Sequence, residues 1–262
     1  MNAKLLTGAA VLLCVVAPLT VAGRNSSTRV QAFAALPDWT GLWRSDIAKL
    51  LDNASGHVDT SNDLDELSHV KLLGHPPYNA EWEQKYQAML RSPGAAAAVA
   101  SGKSCSPGGF PMEMDWASMF QVVVTPEETL FVFENGAIRH IYTDGRAHPP
   151  KDDLWPTAMG DSIGHWEGET LIVDTVARAE GPVTVGPAAS LSERAHFVER
   201  LRLIDTSTLE DQLTIEDPLR FSRAWHLTLH YGRVAEMNRM VAWDCGNDRN
   251  PVVNGKLTIA PP

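Results

Sequence analysis

Tyr142 and His165 are the side chains in this sequence best suited to moving protons, with Asp174 or Glu199 to orient or ionise them. A tyrosine or histidine beside a carboxylate can take a proton from one atom of a small molecule and return it to another. His165 and Asp174 belong to one stretch, Asp161 to Thr175, in which two extended runs flank Glu167-Gly168-Glu169. Glycine between two such runs predicts a hairpin, because it accepts the positive φ of a tight turn. Glu199 raises a different question. Alternation over His196 to Leu203 puts it on one face with Phe197, Leu201 and Leu203. An ionised carboxylate there needs a partner or a raised pKa, so Glu199 is either half of a buried Glu–Arg pair or an acid–base group.

A second group of residues could hold a ligand. Ile138, His140 and Tyr142 share a face, and Tyr142-Thr143-Asp144-Gly145-Arg146-Ala147-His148-Pro149 crowds polar functions into a strand end and turn. From this run His140, Asp144, Arg146 and His148 are candidate substrate contacts, with an Asp144–Arg146 turn pair as the purely structural alternative. Arg223 is the candidate for an anionic substrate group, and Trp166 and Trp225 are candidate pocket walls. His226 and His230 share a strand face, without zinc-type spacing or a third ligand, and read as a solvated face. The sequence contains no nucleophile elbow, phosphate loop or dinucleotide fingerprint. No cofactor and no metal is therefore expected.

These residues need a scaffold of strands. Extended runs at 121–125, 129–134, 138–143, 196–204, 213–216 and 225–231 are separated by short turns, among them Asn135-Gly136, and 241–243 is a possible last strand. Such a series predicts an antiparallel meander, and closure into a barrel is the simplest way to remove its edges. Gly41-Leu42-Trp43 looks like the opening of lipocalin-type barrels, in which the tryptophan plugs one end. Residues 44–102 differ in character and read as a helical or loop insertion, a lid or plain packing. Ile47, Leu50 and Leu51 have helical spacing, as do Trp82, Tyr86, Met89 and Leu90, with Asn79 as N-cap of the second helix.

Residues 1–23 read as an export signal: Lys4, an apolar run to Ala22, and small residues before Arg24. The run nearly reaches spanning length, but Pro18 and those small residues favour cleavage over anchoring. Leu13 before Cys14 speaks against a lipoprotein. Residues 24–262 are then a single domain, periplasmic or secreted. Cys105 and Cys245 either pair, contributing about 2–4 kcal/mol, or remain buried thiols. The net charge of −10, with no basic patch, argues against nucleic acid and against anionic membrane surfaces. A small molecule is the expected partner, and oligomeric state is open.

Ile141 to Arg146, residues 160–175 and Ser192-Glu193 through Glu199-Arg200 resemble a large group of exported bacterial proteins. Those proteins carry Tyr-Thr-Asp-Gly-Arg followed by Trp-Glu-Gly-Asp-Thr-Leu-Val-Val-Asp-Thr. The resemblance implies an exported calycin-like barrel and no function general to the group; the position of His165 is often arginine there. Taken together, the expectation is a periplasmic lipocalin-like barrel doing acid–base chemistry as a lyase, dehydratase or isomerase on a small aromatic or apolar molecule. A non-catalytic binding barrel is the alternative, and a metal-dependent hydrolase using His140, His148 and His165 is a third reading. The leading expectation requires Tyr142, His165, Asp174 and Glu199 to face one cavity.

Overall fold

The computed structural model describes residues 26–45, 75–91, 109–115, 119–182, 190–241, 252–253 and 256–257. The signal segment, Ile47 to Leu51, Ala95 to Ala100, Cys105 and Cys245 lie outside them, as does most of the 44–102 insertion. No helix among the described residues is long and apolar enough to cross a membrane.

Nine strands close into one barrel. In chain order these are β1 (Leu42–Ser45), β2 (Met119–Val124), β3 (Glu128–Phe133), β4 (Ile138–Tyr142), β5 (Asp161–Glu167), β6 (Thr170–Val176), β9 (His196–Asp205), β10 (Thr208–Glu216) and β11 (Trp225–Arg233). Around the ring they run β1, β11, β10, β9, β6, β5, β4, β3, β2 and back to β1. The short pairs β7 (Gly181–Pro182) with β8 (Ser190–Leu191), and β12 (Val252–Val253) with β13 (Lys256–Leu257), stand apart from it.

The barrel is mixed, which corrects the expectation of a wholly antiparallel meander. β4 and β5 are parallel, with Ile141 opposite Ser162 and Tyr142 opposite Ile163. The reason is parity: alternating directions cannot close an odd ring, so at least one neighbouring pair must run the same way. Parallel neighbours need a crossover rather than a tight turn, and residues 143–160 supply it. Gly164 permits close approach at this junction, since a Cβ there would lie 2.8 Å from the Ile172 carbonyl and 3.0 Å from Ile141 Cγ2. The next turn is the expected hairpin, with Gly168 at φ +62° between β5 and β6. The expected last strand is not formed at Val241, which is outside any element, and its other residues lie outside the described segments.

Alternation sorts side chains into two compartments. Phe120, Val122, Phe131, Phe133, Ile141, Leu171, Val173, Phe197, Leu201, Leu213 and Tyr231 all point inward and are buried. Trp39 and Trp43 close one end of this core, and the Trp43 indole donates to the Trp39 carbonyl at 2.9 Å. The Arg233 guanidinium covers the Trp43 ring at 4.3 Å. Towards the other end Phe110 packs on Phe197 with centroids 4.9 Å apart.

Among the described residues three α-helices accompany the barrel: α1 (Ser26–Ala34), α2 (Ala80–Leu90) and α3 (Met112–Asp115), whose Met114 is buried in the core. α2 begins as its sequence dictates. Asn79 Oδ1 accepts the Trp82 N–H at 3.0 Å, and Glu81 and Glu83 occupy the first turn, where carboxylates suit the helix dipole. α1 was not foreseen, because its residues look like a polar tail behind the export signal.

Candidate functional site

The wall of the barrel separates the candidate residues. Glu199 faces inward on β9 and is fully buried. Arg139 of β4 grips it in a two-point ion pair, Nη1 to Oε1 at 2.8 Å and Nη2 to Oε2 at 2.5 Å. Arg139 Nη2 also donates to Thr175 Oγ1 at 3.1 Å, and its guanidinium lies 3.7 Å above the Phe110 ring. A second interior acid, Asp211 on β10, completes the network. Burial pushes the Asp211 carboxyl well above the usual carboxylate range; the Glu199 charge beside it adds to the rise, and Arg139 offsets part of it. Burial thus favours the acid form of Asp211 beside the Arg139–Glu199 pair.

Tyr142, His165 and Asp174 are on the opposite, outer surface. His165 is two-thirds exposed, and its nearest charged partner is Glu167 at 3.4 Å. Asp174 belongs to a longer chain of contacts. One of its oxygens meets His148 Nε2 at 3.0 Å, and the other meets His196 Nε2 at 2.9 Å. His148 Nδ1 continues to Asp161 at 2.5 Å, and His196 Nδ1 lies 3.5 Å from Glu216. Five alternating carboxylates and imidazoles thus run from the crossover and β5 across β6 and β9 to β10.

This chain ends at a cleft. A cavity of about 360 Å³ on the outer surface is lined by Ile138, His140, Tyr142, Thr157, Ala158, Met159, Gly160, Asp161 and Ser162. That volume falls within the range of small-molecule pockets. The parallel junction creates it: the crossover returns over β4, and Thr157 pairs with Arg178 in an isolated bridge. His140 Nδ1 contacts Glu128 at 3.1 Å, and the His140 and Tyr142 rings stack with centroids 6.0 Å apart. Arg146 lies over the Tyr142 ring at 4.0 Å while donating to both oxygens of Asp144, at 2.9 and 2.7 Å. Those hydrogen bonds hold the Asp144 carboxyl down at about 2. The Asp144–Arg146 turn pair is therefore present, and it braces the tyrosine.

The remaining candidates scatter. Trp225 is an interior residue packed edge-on to Phe221 at 5.8 Å. Trp166 also points inward and meets Trp39 at 5.1 Å. Arg223 is exposed in the segment before β11. His140, His148 and His165 keep separate carboxylate partners, and no group of three or more metal-type ligands converges among the described residues. Of the two proton-transfer candidates Tyr142 lines the cleft and His165 does not; of the two orienting carboxylates Asp174 stands behind it through His148, and Glu199 is on the other side of the wall.

Sequence reasoning passed over Asp161, His196, Arg139 and Asp211. Asp211 was readable, because it alternates with Leu209, Leu213 and Ile215 as Glu199 does with its neighbours. Arg139 shares a face with Ile141 and carried the same signal. Asp161 and His196 had none: each opens a strand, and only the register of β5, β6 and β9 brings them together. No protein-family model matches the chain, and no curated protein matches its sequence.

Proposed function

We propose that the protein is an exported barrel enzyme that performs acid–base chemistry, as a lyase, dehydratase or isomerase, on a small molecule seated in the cleft between β4 and the crossover. One observation carries this reading. Tyr142 Oη, His140 Nε2 and Asp161 Oδ2 belong to residues lining one cleft, and none of the three atoms makes a hydrogen bond among the described residues. Uncommitted polar atoms beside the apolar Ile138 and Met159 are what a site needs to grip a molecule and move its proton. Tyr142 and Asp161 are the proton-transfer groups in this reading. His148, held in turn by Asp174 and His196, positions Asp161.

The barrel itself is read as calycin-like. Support comes from the Gly41-Leu42-Trp43 opening, the burial of Trp43 at one end and the Arg233 guanidinium against it. Export, to the periplasm or beyond, is part of this reading; the signal-like pattern of residues 1–23 supports it, and cell fractionation with N-terminal sequencing of the mature chain tests it.

Acid–base catalysis is tested by incubating the protein with pools of phenolic and terpenoid compounds in deuterated water, followed by mass spectrometry. A product or a deuterium-labelled substrate is expected, lost by about 10²-fold or more in Tyr142→Phe or Asp161→Asn. Saturable binding without product or exchange would make the protein a carrier instead.

A further inference from the structure

We infer that the cleft selects a small primary ammonium carried on an apolar or aryl body, an inference that rests on the cleft being the working site. Charge is the first reason. Asp161 contributes a carboxylate to the lining, Glu128 stands directly behind His140, and no lysine or arginine is among the lining residues. The nearest guanidinium, Arg146, is committed to both oxygens of Asp144 and to the face of Tyr142. An anionic ligand would meet carboxylates with no lysine or arginine in the lining to offset them, whereas a cation would be held by charge-assisted hydrogen bonds.

The second reason is the count of acceptors. When His140 is neutral and its Nδ1–H donates to Glu128, its Nε2 is left with a lone pair. Tyr142 Oη and Asp161 Oδ2 are acceptors as well, and neither has a hydrogen-bond partner among the described residues. An ammonium carries three N–H donors, and the cleft offers three open acceptors. His148 takes only Oδ1 of Asp161, so it fixes that carboxylate without blocking the other oxygen.

Apolar surface completes the match. Ile138 is 46% exposed, although it is a β-branched side chain at the mouth of the cleft, and Met159 packs partly against the core. With the Tyr142 ring they give the body of the ligand somewhere to lie. The overall charge of −10 draws cations to the surface in the same sense.

The test titrates the full mature chain with benzylammonium, benzoate and benzyl alcohol, followed by backbone amide NMR. Benzylammonium is expected to shift the Tyr142 and Asp161 amides saturably, with an affinity that falls as salt rises; benzoate is expected to leave them unmoved. Asp161→Asn should weaken benzylammonium binding at least about tenfold, the loss of one charge-assisted hydrogen bond. Benzoate or benzyl alcohol binding as tightly at these residues would overturn the ammonium inference while leaving the cleft as a site. Unchanged benzylammonium affinity in a folded Asp161→Asn protein would overturn it too. If none of the three ligands moves a cleft amide, the cleft reading itself falls and takes this inference with it.

Discussion

Glu199→Gln and Asp211→Asn, singly and together, probe the interior of the barrel. Arg139 is buried against Glu199, and Asp211, its carboxyl pushed well above the usual range by burial, lies beside that pair. Removing the partner of a buried charge costs about 3–5 kcal/mol when nothing replaces it. In Glu199→Gln burial still favours the neutral Asp211, but the Glu199 charge that added to the rise is gone while Arg139 remains, which shifts Asp211 towards the ionised form that can balance the guanidinium. The loss should then be limited to misaligned hydrogen bonds, about 1–3 kcal/mol. Asp211→Asn exchanges one neutral hydrogen-bonding group for another and should cost about 0.5–1.5 kcal/mol. Only the double variant strands the guanidinium, and it should reach or exceed about 3–5 kcal/mol. The domain should survive that loss, since stabilities of about 5–15 kcal/mol are usual. Urea unfolding at neutral pH, with unchanged m values as the check on two-state behaviour, yields the cycle. The double loss should exceed the sum of the single losses by about 0.5–3 kcal/mol. Strict additivity, or a Glu199→Gln protein as unstable as the double variant, would refute the coupling of Glu199 and Asp211 through Arg139.

The same group sets a pH dependence. Asp211 has a raised pKa in the folded chain, so the folded state holds a proton that the unfolded chain releases near the ordinary value of 3.8. Its contribution to stability is therefore complete below that value and is lost as pH rises through the raised folded value. Urea midpoints measured from mildly acidic to alkaline pH should fall more steeply for the wild type than for Asp211→Asn; parallel slopes would contradict the assignment. Gly164→Ala should cost about 1–3 kcal/mol in thermal or urea unfolding, because its Cβ would meet the Ile172 carbonyl and Ile141. Gly168→Ala has open space around it and only the positive φ to resist, so its cost should be nearer 1 kcal/mol. Equal losses at the two glycines would count against the close approach at the parallel junction.

What was legible in the sequence is what period and turn chemistry carry locally. Alternation placed Glu199 among apolar neighbours and Ile138, His140 and Tyr142 on one face; Gly168 and Asn135-Gly136 marked their hairpins; Asn79 marked the start of α2. Alternation relates residues within one strand, however, and says nothing about which side of a closed wall a face will occupy relative to another strand. Tyr142 and Glu199 each looked reactive, and they lie on opposite sides of that wall because Arg139 and Ile141, the other face of β4, point inward. The cleft was hidden for a related reason. It depends on the crossover 143–160 returning alongside β4 to make the one parallel pair that ring parity demands somewhere, a property of the whole strand count rather than of any segment. A run read as one polar cluster, Tyr142 to His148, was divided by this step: Asp144 and Arg146 became a brace for the tyrosine, and His148 was carried across to Asp161 and Asp174. Asp161 thus owes its role to topology. At the first residue of β5 it has no pattern of its own, yet the parallel register that sets Ser162 opposite Ile141 brings it level with His140, at the one parallel strand pair of the barrel, which a tight turn could not join.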